Sequence, residues 1–165
     1  MKKLPLCLFA LLLLAIGCSS IDCPVENVVA TVYKLKKSNG TADTLKDSMT
    51  IISHRINGKD TTVLKYGVNT TLFQLPVGYT NPVDTLFFVV KDGEFLYRDT
   101  VYVKKENQPH FESVDCKISY FHTITDISLI THHAIDSIVI KKTEVNYDLS
   151  TEHFHIYFKT ADKRK

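Results

Sequence analysis

Histidine is the residue that could do chemistry here by type and spacing. The chain contains seven: His54, His110, His122, His132, His133, His153 and His155. In His153-Phe154-His155, a strand would put two imidazoles on one face, roughly 7 Å apart at a rise of about 3.4 Å per residue. Two such side chains can share a zinc or copper ion if a third ligand arrives from another strand, and His122 or His132 are the candidates to supply it. The plainer alternative is a solvated edge for the His-x-His pair and a hydrogen-bonded core histidine at His122, which lies on an apolar face. Other chemistry is thinly represented. There is no Gly-x-Ser-x-Gly elbow, EF-hand loop, phosphate-binding glycine loop or His-Glu-x-x-His helix. Glu112 and Asp115 come nearest to the paired carboxylates of glycoside cleavage. No catalytic residue is therefore assigned, and the protein is expected not to be an enzyme. For ligand contact, the candidates are Tyr79, in Gly78-Tyr79-Thr80-Asn81-Pro82, and His110-Phe111. Glycan binding fits them, although the chain has no tryptophan for a sugar-stacking platform. Loop packing is the ordinary alternative.

The four cysteines are Cys7, Cys18, Cys23 and Cys116. Lys2-Lys3 form a positive start, and Leu4–Ile16 is an apolar run too short for a span of about 20 residues. The run closes as Leu14-Ala15-Ile16-Gly17-Cys18, with small residues ahead of the cysteine. This resembles the lipobox of bacterial lipoproteins, with Ala15 where leucine is usual. The resemblance implies that residues 1–17 are a cleaved signal peptide and that Cys18 receives a diacylglyceryl group, with palmitate-type acyl chains. An ordinary secretory cut leaving a free Cys18 thiol is the alternative. No aspartate stands immediately after Cys18, so the expected address is the outer membrane, lipid-anchored; no run of acids follows it, so the domain is expected to face the periplasm, with exposure at the cell surface as the alternative. Cleavage removes Cys7, and lipidation of Cys18 leaves Cys23 and Cys116 to pair in an oxidising compartment. Their loop of 93 positions corresponds to about 4–5 kcal/mol by chain entropy. Two buried thiols are the alternative.

Removing 17 of 165 residues leaves 148, which suits one domain with a real core. It also removes Lys2 and Lys3, leaving 18 basic against 18 acidic residues. That balance lacks the basic footprint of a nucleic-acid binder. Residues 18–24 read as a lipidated tether, 25–160 as a single β domain and 161–165 as a solvated basic tail.

Abundant Thr, Val, Ile, Tyr and Phe favour pleated surfaces, and scarce Ala and Met disfavour a helical bundle. Asn39-Gly40, Asn57-Gly58 and Asp92-Gly93 supply the positive φ angles of tight hairpins between Val28–Lys37, Met49–Ile56, Thr61–Tyr66, Asp84–Val90 and Phe95–Val103. Gly67–Asn69 and Pro76–Pro82 read as longer connections. Leu86–Val90, apolar on both faces, reads as a central strand between two layers. Lys104–Asp115, polar and carrying Pro109, reads as a crossing loop. Cys116–Ile124 presents Cys116, Ile118, Tyr120, His122 and Ile124 on one face. Asp126–His133 is a short helical turn or a loop. Ala134–Lys141 is a strand with a bulge at Asp136-Ser137, and Glu152–Lys159 alternates. The fold class is all-β: a two-layer immunoglobulin-like sandwich of about seven to nine strands, with a lipocalin-like closed barrel as the alternative.

Several segments together resemble a family of small Bacteroidota lipoproteins classed as a domain of unknown function. They are Ser20-Ile21-Asp22-Cys23-Pro24, residues 107–116 (Asn-Gln-Pro-His-Phe-Glu-Ser-Val-Asp-Cys), Tyr120–Ile124, His133–Ile138 and Glu152–Phe158. That resemblance implies an envelope lipoprotein and no particular activity. The functional expectation is an envelope-anchored, non-enzymatic binding or structural module, with envelope proteins or cell-wall glycans as partners besides the membrane. A periplasmic zinc or copper binder and an envelope glycan or peptide hydrolase are the alternatives.

Overall fold

The computed structural model describes residues 28–55, 58–114 and 116–164, without the side chain of Tyr66. The signal peptide, the tether, Cys18 and Cys23 lie outside these residues, as do Asn57 and Asp115. Alternating burial marks most strands. In β5 (Val83–Asp92), Leu86, Phe88 and Val90 are buried while Asp84, Phe87 and Val89 are half-buried. Among the described residues, ten strands form: β1 (Ala30–Leu35), β2 (Ser48–His54), β3 (Thr61–Gly67), β4 (Leu72–Pro76), β5, β6 (Phe95–His110), β7 (Ser119–Leu129), β8 (Ile135–Ile140), β9 (Glu144–Val145) and β10 (Phe154–Phe158). They assemble as two open sheets, ordered β4-β1-β10-β8 and β3-β2-β5-β6-β7-β9. The expected all-β sandwich is what forms, and the closed barrel is not. The six-stranded sheet is antiparallel throughout. In the four-stranded sheet, β1 runs antiparallel to β4 but parallel to β10.

The sheets close on an aromatic centre. Phe73, Tyr33 and Phe154 are register partners across β4, β1 and β10. Tyr33 stacks on Phe73 at 4.8 Å and on Phe154 at 4.7 Å, and Phe88 from the other sheet meets Tyr33 edge-on at 6.3 Å. Such pairs add about 0.5–1.5 kcal/mol beyond area burial. Burial drives the Tyr33 hydroxyl far above its ordinary pKa. Phe87, on the outer face of β5, is half-buried. The Arg98 guanidinium sits 3.9 Å from its ring centroid, and His54 flanks it at 5.8 Å.

Four local expectations are corrected. Residues 104–110 are not a crossing loop but the second half of the 16-residue β6, in register with β7 down to His110↔Ser119. Residues 126–129 continue β7 instead of turning. Strands β4 and β9 had no clear pattern of their own. The Asp92-Gly93 turn is displaced by one position. Asp92 pairs with Phe95, so Gly93 and Glu94 are the central residues, and Gly93 at φ 60 is the first of them. The Asp136 bulge does form, because Tyr157 pairs with Ser137 and Phe158 skips to Ile135. The basic tail is not wholly solvated. Beyond a 3-10 turn at Ala161–Lys163, Arg164 folds back to Asp47 at 2.7 Å and Asp92 at 3.7 Å.

Buried Asp99 ties the β7–β8 connection down. Its carboxylate accepts the backbone N–H groups of His133 (2.6 Å), Ala134 (2.7 Å) and Ile135 (2.7 Å). Three charge-assisted bonds of this kind let an anion sit inside a sandwich.

Candidate ligand-binding cleft

The inward parity of β6 runs Asp99, Val101, Val103, Lys105, Asn107. On β7 the inward residues are Leu129, Ile127, then Ile124, His122, Tyr120. Lys104 pairs with Asp126 and Lys105 with Ile124, so Thr125 is an extra residue that switches the parity of its strand. Past this bulge the inner face turns polar. Lys105, its side chain wholly buried, places Nζ 2.8 Å from Asp84 Oδ1 and donates to the Asn81 carbonyl at 3.1 Å. Asn107 donates Nδ2 to the carbonyls of Tyr79 (2.9 Å) and Asn81 (3.3 Å). Its Oδ1 therefore faces His122 Nδ1, at 2.7 Å, which puts the imidazole proton on that nitrogen. Burial, and then the Lys105 charge, lower the His122 pKa to about 4, so this ring is neutral at physiological pH. Gly78 donates its N–H to Asp84 Oδ2 at 3.3 Å. A Cβ at Gly78 would stand 3.0 Å from Asp84 Oδ1, so this close approach favours glycine.

Lys105 and Asn107 thereby fix the loop 77–81 against the six-stranded sheet. A cleft of about 660 Å³ opens beside it at the pole of the sandwich. Val77–Asn81 form one wall, the ends of β2 and β3 (His54, Arg55, Thr61) form the other, and Asp84 lines the cleft with them. His54 Nδ1 lies 2.6 Å from Asp60 Oδ1 on that second wall. Tyr79 stacks nearly parallel on Tyr120, at 4.5 Å and 5°, and remains 59% exposed. A braced aromatic plane beside hydroxyl, amide, carboxylate and guanidinium groups complements a polyhydroxylated ligand.

Of the candidate metal and ligand-contact residues read from sequence, Tyr79 lies in this cleft; His54, counted there only among the histidines, lines it too. His110 lies on the opposite face of β6, where its ring stacks on Phe121 at 4.1 Å and meets Tyr147 edge-on at 5.8 Å. Its Nε2 is 3.1 Å from Glu112 Oε1. Phe111 follows in the β6–β7 connection, exposed. The histidines considered for metal are each engaged by protein. His153 is not on a solvated edge. It precedes β10, is fully buried, and accepts the Val32 N–H on Nδ1 at 3.0 Å while Nε2 donates to the Glu144 carbonyl at 3.0 Å. Burial lowers its pKa. His155, half-buried on β10, sits 2.9 Å from Glu152 Oε2. His132 Nδ1 lies 3.2 Å from the Asp136 carbonyl. Among the described residues, no three His, Cys, Asp or Glu side chains are grouped to hold a metal ion. Lys105, Asn107 and Asp84 were not singled out. Continuing the alternation of Val101 and Val103 two steps further would have pointed inward at the first two.

Fold and cleft together define a two-layer β-sandwich module with a cleft of mixed polar and apolar lining at one pole. The chain belongs to the family of unknown function DUF6452, which matches residues 48–158, from the first residue of β2 to the last of β10. No curated protein and no solved structure matches the chain.

Proposed function

We propose that this protein is a lipid-anchored envelope module that binds a cell-wall glycan without turning it over. In this reading Cys18 carries the acyl chains, the mature domain stands on the outer membrane facing the periplasm, and Cys23 pairs with Cys116. The observation that carries the binding assignment is the braced Tyr79 platform. Its ring is stacked on Tyr120 and its backbone is held by Asn107, so little ordering remains to be done when a sugar face docks. The hydroxyl and amide groups of Thr61, Thr80 and Asn81 line the same cleft and suit hydrogen bonding to sugar hydroxyls.

The test is retention of the full lipidated chain, in detergent micelles, by soluble peptidoglycan fragments. Binding that falls about tenfold in Tyr79→Ala, equivalent to about 1.4 kcal/mol, is the expected result. Equal retention of parent and variant would remove the cleft assignment. Release of cleaved glycan during the titration would replace binding by hydrolysis. Intact-mass measurement of the same preparation reads the acyl group on Cys18 independently.

A further inference from the structure

The two poles of the sandwich differ, and the path of the chain decides which one faces the anchor. Ala30, the first residue of β1, pairs with Pro76, the last of β4. The chain preceding β1 therefore arrives at the pole where Val77–Asn81 form the cleft wall. The β6–β7 ladder extends past that same pole. Val83, the first residue of β5, pairs with Lys104, and β6 then continues six residues to His110. At about 3.4 Å per residue, this carries the ladder about 20 Å beyond the start of β5.

Among the described residues, the connection at its end exposes apolar side chains. Val114 is 97% exposed, and Phe111 and Ile118 are exposed as well. Its charged residues are Glu112, Asp115 and Lys117, close to balance. The hairpin carrying exposed Phe95 and Leu96 begins β6, some 50 Å away along a 16-residue strand.

We propose that the Phe111–Ile118 tip contacts the bilayer and seats Phe111, Val114 and Ile118 in the headgroup region. The inference rests on acylation of Cys18 and adds to it an orientation and a second attachment. Twelve positions separate Cys18 from Ala30. They reach at most about 40 Å, so the acyl chains hold this pole within about twice the tip's length of the membrane. A Cys23–Cys116 bridge would shorten the leash further, because the five positions from Cys18 to Cys23 span about 17 Å. A lipid surface is thus always at high effective concentration beside this tip.

The chain has no tryptophan, so a single inserted one reports its own position. Val114→Trp and Phe95→Trp, each in the full lipidated chain, are reconstituted into phosphatidylethanolamine–phosphatidylglycerol vesicles with and without brominated acyl chains. Val114→Trp is expected to shift to the blue and lose about half its emission to the brominated lipid, as an apolar side chain at the headgroup–acyl boundary would. Phe95→Trp is expected to keep its emission. Acylated, vesicle-bound protein whose Val114→Trp is unquenched overturns the proposal while the anchor stands. Quenching at Phe95→Trp alone would reverse the orientation. A blue shift without quenching would place the tip against protein and not lipid, and would overturn the proposal as well. Protein that lacks the acyl mass and does not float with vesicles would remove the anchor, and this inference with it.

Discussion

Lys105 is a full charge inside the sandwich, held there by Asp84 and the Asn81 carbonyl. Removing one member of a buried pair commonly costs about 3–5 kcal/mol, because the other is left without compensation. Its neighbour His122 reports on it. Lys105 is the second cause, after burial, of the lowered His122 pKa. Lys105→Met is therefore expected to raise the His122 midpoint above about 4, read from the imidazole resonances in an NMR titration. A midpoint that does not move would leave burial as the whole cause. Tyr79 was legible in the sequence because a tyrosine between glycine and proline in a loop has few places to hide. Lys105 and Asn107 were not, because a polar residue on an inward position erases the alternation that reveals strands. His153 and His155 look like a matched pair two residues apart. They are separated in role by where β10 begins: His155 lies in the strand, and His153 is the clasp just before it, bonded to β1 and to the β9 backbone.

At the scale of the element, the bulge at Thr125 decides what β7 shows to the core. Without Thr125, Ile124 and Ile127 would stand two positions apart, so His122, Ile124, Ile127 and Leu129 would share one face of a regular strand in the same register with β6. The deletion variant is expected to keep a cooperative thermal transition, followed by circular dichroism. Loss of that transition would show that the fold needs the bulge itself and not only the parity it sets. Strands flanked by glycine turns and rich in β-branched residues were readable, and so was the Asp136 bulge. Strand β4 was not, because Leu72–Pro76 is short and ends in proline. Nor was β9, whose two residues exist as a strand only by pairing with His122 and Thr123. The misreading of residues 104–110 followed from Pro109, which β6 tolerates only a residue from its end.

For the molecule as a whole, acid sensitivity follows from its neutral histidines. His122 and His153 have folded pKa values lowered from 6.5, to about 4 for His122. Between those values the unfolded chain binds more protons than the folded one, so stability falls as pH drops from about 6.5 towards 4. Carboxylates extend the loss. Asp148, lowered to about 2 chiefly by Ser150 and Thr151, and Asp126 and Glu152, also lowered, stabilise the fold above their ordinary pKa values and cease to as pH falls through the folded ones. Calorimetric melting temperatures at pH 7.5, 5.5 and 4.5 are expected to decline in that order, with a shallower decline in His122→Gln. The parallel pairing of β1 with β10 has a mechanical consequence. The chain enters β1 at one pole, and β10 leaves towards the other. A pull between the anchored end and residue 164 would load the Tyr33↔Phe154, Lys34↔His155 and Leu35↔Ile156 pairs, with the Val32–His153 bonds, in shear. Strands sheared along their length must give way together, whereas strands peeled from one end unzip bond by bond. Optical-tweezer traces are expected to show one abrupt rupture in this pulling direction and a lower, graded force when β8 is peeled sideways.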